Sequence, residues 1–207
     1  VAQFATNADL AVRLGVTLSA AEQTRADTLL QLASGVIQKE AKQTISQVAN
    51  DVLTRPGSTD EVIRLPERPV VSVASVTLNG VAMVLDTDYV LISDMLVRLN
   101  STVVSEDQFY VLYPDDGWGD PTQTLVVTYT HGWATVPDVI RAVCLEQAVR
   151  AWVNPGNVVE ESYGPERVVY QPRSGTQGVA PGLLLTDDEK RMIHDAVRRT
   201  AGSIALR

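Results

Sequence analysis

The chain has 207 residues, 45% hydrophobic and 20% charged, enough to bury one elaborated core or two small ones. Its formal net charge of -8 and pI near 4.7 suit it to repel nucleic acid rather than grip it, since phosphate recognition needs clustered Lys and Arg. A single cysteine excludes an internal disulfide and a multi-thiolate zinc site, and only 5% aromatic residues argue against an aromatic-lined ligand pocket. No apolar run approaches the roughly 20 residues that span a bilayer, and the first residues lack the pattern of a signal peptide. The expectation is a protein made and used in a reducing compartment without crossing a membrane.

In chain order, a short helix is predicted over 9–14, with Asn7 as N-cap and Gly15 to end it. A longer helix follows. Ser19 and Glu22 have the spacing of a capping box, and Ala26, Leu29, Leu30, Ala33, Val36 and Ile37 form an apolar stripe ending near Lys42. Gly35 weakens that helix and suggests another backbone packing closely there. From residue 45 to 130 the pattern is β, with strands predicted at 45–52, 61–65, 70–78, 81–85, 89–92, 96–99, 109–113 and 125–130. Asn79-Gly80 is the sharpest turn signal, because both central positions of a tight hairpin need positive φ; Ser93-Asp94 suggests another.

The strand Leu125 to Thr130 breaks at His131-Gly132-Trp133 and leads into a helix opened by Val136-Pro137-Asp138, with Pro137 in the first helical position. Ile140, Val143, Cys144, Ala148, Ala151 and Trp152 share one face, leaving Arg141, Glu146 and Arg150 for water or a partner. Residues 154–182 are rich in Pro, Gly, Ser and Gln and read as an arm. A last helix begins at a second capping box, Thr186 with Glu189, and turns Met192, Ile193, Ala196 and Val197 inward.

The fold class expected is α+β: a bundle of about four helices with an inserted small antiparallel β-sandwich or barrel and an extended C-terminal arm. A helical domain over 1–44 plus 136–207, with the arm at 154–182, would carry the β-domain over 45–135.

Candidate chemistry is sparse. His131 and Cys144 could form a nucleophile pair, but Cys144 falls on the apolar stripe, where a thiol behaves as a small hydrophobe. The run from Asp115 to Asp120 resembles a carboxylate loop yet lacks the alternating ligands and closing Glu of a calcium site, so a polar turn is the simpler reading, as for Asp86, Asp88 and Asp94. Trp118, Trp133 and Trp152 could form a sugar platform; the plainer reading puts Trp152 in the core and the other two over sheet ends or a subunit contact. His194 reads as solvated. No glycine-rich phosphate loop is present, so no catalytic residue, cofactor or metal site is expected.

Several stretches together resemble head-to-tail connector, or adaptor, proteins of long-tailed bacteriophages. These are Leu10-x-x-x-Leu14-Gly15 before the long helix, Arg68-Pro69-Val70-Val71-Ser72-Val73, Val76-x-x-Asn79-Gly80, Val126 to Gly132, Val136-Pro137-x-x-Ile140, Asn154-Pro155, Glu160-Glu161-x-x-Gly164 and Leu185-Thr186-x-x-Glu189. The combination Tyr-Thr-His-Gly, then Val-Pro and a helix, is the most specific of them. The resemblance implies a non-enzymatic ring component of the virion neck, usually of twelve subunits, seated beneath the portal protein and above a stopper or tail-completion protein. DNA would pass through its channel without specific binding. Tyr163, Arg167, Tyr170, Arg198 and Arg207 are the expected contacts, Tyr and Arg being common at energetic centres of interfaces. A stopper or tail-completion protein is the competing expectation, and a carbohydrate-binding β-module a more distant one.

Overall fold

The computed structural model describes residues 2–99, 117–154, 160–163, 166–169 and 183–199. The chain divides into two compact units, one made of Val1–Lys42 with Thr135–Arg198, the other built on Gln43–Ala134.

The first unit is helical: α1 (Asn7–Leu14), α2 (Ala20–Ala41), α3 (Asp138–Val153) and α4 (Asp187–Arg199). α1 starts earlier than predicted because Thr6, not Asn7, is its cap. Its hydroxyl accepts from the Asp9 N–H while the Asp9 carboxylate accepts from the Thr6 N–H at 2.9 Å, a box one residue upstream of the predicted cap. Gly15, at φ +68°, ends the helix as expected. Glu22 closes the start of α2 on the Ser19 N–H, and Lys42 ends it at φ +55°. Ala26, Leu30, Ala33 and Ile37 are fully buried, whereas Leu29 and Val36 lie at the margin. Space around Gly35 is open, with nothing within 4 Å of a Cβ placed there, so no backbone approaches and that expectation fails. Pro137 is the residue before α3 rather than its first member, and its carbonyl accepts from Arg141 N–H. Ile140, Val143, Cys144, Gln147, Ala148 and Ala151 are the buried face of α3. Trp152 is only half-buried, correcting its placement in the core; the Arg25 guanidinium stacks 4.4 Å from its ring.

Within 154–182, two short strands, β8 (Glu160–Tyr163) and β9 (Glu166–Val169), pair antiparallel.

The second unit holds β1 (Val48–Pro56), β2 (Val62–Arg64), β3 (Val70–Leu78), β4 (Val81–Met83), β5 (Tyr89–Ile92), β6 (Met95–Arg98) and β7 (Thr124–His131). They form a four-stranded sheet in the order β1-β7-β3-β4 and a three-stranded sheet β2-β6-β5, with every named strand pair antiparallel. The inner faces share one core of Ile63, Leu65, Val76, Tyr89, Leu96, Trp118, Leu125, Val127 and Tyr129. This is the sandwich of the expected fold class; the sheets do not close into a barrel among the described residues. Asn79 and Gly80 take positive φ in the β3–β4 turn, as their sequence required, and Ser93 does so between β5 and β6. β1 runs from 48 to 56 instead of 45 to 52. Its first residues are diverted by Trp133, which bridges Ser46 in parallel, and its end is prolonged by Pro56 pairing Thr124 at the edge of the sheet. The strand expected at 109–113 lies outside the described residues.

Candidate functional site

The strand that carries the most specific motif alternates strictly. Leu125, Val127, Tyr129 and His131 are buried, while Thr124, Val126, Thr128 and Thr130 face outward. Tyr129 and His131 lie ring to ring at 5.0 Å, and His131 Nε2 sits 3.2 Å from Asp51 Oδ2 across the pair with β1. Burial pushes the Tyr129 phenol above its ordinary value, with negative charge at Glu67 and Asp51 adding to the shift. A carboxylate only accepts, so Nε2 carries the proton in the neutral ring and Nδ1 is a buried acceptor with no partner among the described residues. The next residue, Gly132, stands at φ +85°, where a Cβ would lie 2.6 Å from the Ser46 carbonyl oxygen. Its N–H donates to Pro69 O at 2.9 Å, and Trp133 N–H donates to Ile45 O at 2.9 Å. The Tyr-Thr-His-Gly motif therefore clamps three chain segments together.

Cys144 belongs to the helical core. Its Sγ lies 3.6 Å from Ser34 Oγ and 3.8 Å from Leu30 O, and burial pushes the thiol above its ordinary value, the reverse of what a nucleophile needs. Ser34 Oγ also accepts from Phe4 N–H at 3.0 Å, tying the N-terminal residues to α2. The nucleophile-pair reading fails on these environments.

Asp115 and Asp116 lie outside the described residues. Asp120 Oδ1 accepts from Thr122 N–H at 2.8 Å, an interaction that holds its carboxyl below the usual range. Asp88 accepts from Val84 N–H, and Asp94 is buried 3.4 Å from the Arg68 guanidinium. No group of three or more metal-ligating side chains occurs among the described residues. Trp118, expected at a sheet end or a contact, is instead fully buried, with its Nε1–H donating to Glu61 O at 3.0 Å and Tyr89 tilted against it. That removes it from any sugar platform. The sequence hid this because its neighbours are Gly and Asp; only the close approach of Gly117 to the Thr59 and Asp60 carbonyls lets the ring turn inward.

The polar groups assigned to the surface of the helical unit are paired. Arg13 bonds Glu146, Arg141 bonds Asp138 at 2.9 Å, and Arg150 grips both oxygens of Glu189 at 2.6 and 3.1 Å. His194 is not simply solvated, because its Nε2 lies 3.0 Å from Glu40. Gln147 is fully buried with neither amide atom bonded among the described residues. Of the expected contact residues, Arg198 is exposed in the last turn of α4, Tyr163 pairs opposite Glu166 across the β8–β9 ladder, Arg167 pairs opposite Ser162, and Tyr170 and Arg207 lie outside the described residues.

Charge is divided unevenly. Residues 43–134 hold 12 carboxylates against 4 arginines and no lysine, the entire net charge of -8, while the remainder of the chain balances 13 acidic with 13 basic residues. No helix among the described residues is long and apolar enough to cross a membrane.

No family model matches the chain, and no curated protein does. Among solved structures, it is similar to a chain from the virion of a native gene transfer agent particle, with 13% identity over 86% of each chain and a TM-score of 0.47. It is also similar to chains from the neck of an empty gene transfer agent particle computed with C6 symmetry (12% identity, 86% of this chain and 85% of that one, TM-score 0.43) and from the neck of the native particle computed with C12 symmetry (13%, 88% and 90%, 0.38). At TM-scores below 0.5 these likenesses stop short of a common fold.

Proposed function

We propose that the chain is a structural protein of the neck of a phage-like particle, and within it the head-to-tail adaptor: a ring beneath the portal that joins capsid to tail and surrounds the DNA channel. The observation that carries the reading is the partition of the molecule. Helical segments that together balance their charge flank residues 43–134, which carry the two β-sheets and hold all of the surplus negative charge. Helices without net charge can pack against copies of themselves, and an acidic module set around DNA opposes adhesion to the polyanion. The sequence resemblance supplies the place in the particle. Its most specific motif, Tyr129 to Gly132, is spent on holding β1, β3 and β7 together, as a scaffold requires.

In this reading Tyr163, Arg167, Tyr170, Arg198 and Arg207 contact the portal or the adjacent subunit, twelve copies close the ring, and the stopper or tail-completion protein sits below. Negative-stain imaging of the protein mixed separately with its portal and with its tail-completion protein tests it. A ring seated on the portal is the expected image. Binding to the tail tube alone would transfer the chain to the stopper or tail-completion role, and binding to neither would overturn the neck assignment.

A further inference from the structure

Of the asparagines in the chain, only Asn79 is followed by glycine, and the pair makes the two-residue turn between β3 and β4. Both residues are exposed, at φ +50° and +81°. The frame around them is fixed, because Asn79 N–H donates to Thr124 O at 2.7 Å and Leu78 pairs with Val81 across the base of the hairpin. The reactive groups within that frame are free. Among the described residues nothing bonds the Asn79 side-chain amide or the Gly80 N–H, and a Cβ placed on Gly80 would have nothing within 4 Å. Asn50 is the natural comparison, being exposed at φ +53°, but its successor Asp51 carries a side chain and sits in the ladder opposite Tyr129.

We infer that Asn79-Gly80 is a site of self-modification, in which the Gly80 amide nitrogen attacks the Asn79 side-chain carbonyl carbon and water completes the change. A new bond from Gly80 N to Asn79 Cγ closes an imide ring as the bond from Cγ to the side-chain nitrogen breaks. The proton given up by Gly80 N leaves with that nitrogen as ammonia. Water then opens the ring at either carbonyl. Attack at Cγ restores the ordinary backbone with aspartate in place of Asn79, whereas attack at the main-chain carbonyl carbon reroutes the backbone through the side chain as isoaspartate. Ring closure needs rotation about the Asn79 Cα–C bond, which Gly80, lacking a Cβ and surrounded by open space, leaves unopposed. Each event adds a carboxylate to residues 43–134, which already hold the whole net charge of -8. The isoaspartate form also lengthens the backbone of a turn that has only two residues. The Leu78–Val81 pair then no longer closes, and β4, bonded only to β3 at the sheet edge, comes loose.

Incubation of the full chain in mildly alkaline water enriched in oxygen-18, followed by tryptic digestion and mass spectrometry, tests it. Asn79 is the only asparagine in tryptic peptide 65–98, and Asn50 the only one in 43–64. Heavy oxygen should enter peptide 65–98 at least about tenfold faster than peptide 43–64, with the product dividing into aspartate and isoaspartate forms. Asn79→Gln, whose longer side chain sets the carbonyl one atom further away, should abolish the uptake both in buffer and in urea. In the isolated isoaspartate form, the Val81–Met83 amides should exchange at least about tenfold faster than in the parent. An Asn79 that stays intact in the folded chain while converting in urea would overturn the inference, because the fold would then shield the turn. So would equal rates in the two peptides, or uptake that persists in Asn79→Gln; unchanged exchange in the isoaspartate form would overturn the loosening of β4.

Discussion

Replacing Gly132 with alanine should destabilise the β unit by about 3–4 kcal/mol, taking about 1–2 kcal/mol for an L residue held at positive φ and about 1 kcal/mol for each of two backbone hydrogen bonds that must stretch. Those bonds are Trp133 N–H to Ile45 O and Gln47 N–H to Trp133 O, which hold the chain where the new Cβ would meet the Ser46 carbonyl at 2.6 Å. That atom is backbone, so it cannot swing aside. Gly35→Ala is the matched control. It inserts the same methyl into open space inside α2, and should raise stability by about 0.5–1 kcal/mol through better helix propensity. Urea denaturation followed by tryptophan fluorescence, which reports on buried Trp118 in the same unit as Gly132, measures the first; circular dichroism of the helices measures the second. If Gly132→Ala melts within about 0.5 kcal/mol of the parent, the close approach at the motif is wrong, and with it the argument that the motif serves as a clamp.

Burial opposes the charge on Glu189, but the Arg150 guanidinium and the Thr186 N–H outweigh it and hold the carboxyl below its ordinary value. The stability it contributes is therefore present above the unfolded carboxyl pKa of about 4.3 and lost as pH falls through the lower folded value, so acid titration of helix content in Glu189→Gln should show a shallower loss below about pH 4.5 than the parent. Cys144 should react with iodoacetamide at least about tenfold more slowly in the folded chain than in denaturant, given its burial and raised pKa; equal rates would reopen the nucleophile reading. Gln147→Met keeps the volume and removes an amide that is bonded to nothing described, so thermal denaturation should show a gain of about 1 kcal/mol, and a loss would mean that the amide has a partner.

Much of this molecule was legible along the chain. Local rules act over a few residues, and they placed β3 and β5, the Asn79-Gly80 turn, the Ser19–Glu22 and Thr186–Glu189 boxes and the Gly15 stop. They also gave most of the buried face of α3, missing Gln147 and taking in Trp152, because a stripe at helical spacing needs a core whatever that core turns out to be. What they could not settle was the fate of single side chains that look alike in sequence. Trp118 is core and Trp152 is half-exposed under Arg25, and neither follows from flanking residues, since each depends on which distant segment arrives. Glu146 and Arg150 were left for water or a partner by their position on a helix, and which partner was beyond local reach, since Arg13 and Glu189 come from elements 133 and 39 residues away. The period-two alternation of β7 was present in the sequence from the start. That its outward Thr and Val side chains would meet uncharged neighbours on both flanking strands was decided by the register of β1 and β3, which no local propensity encodes.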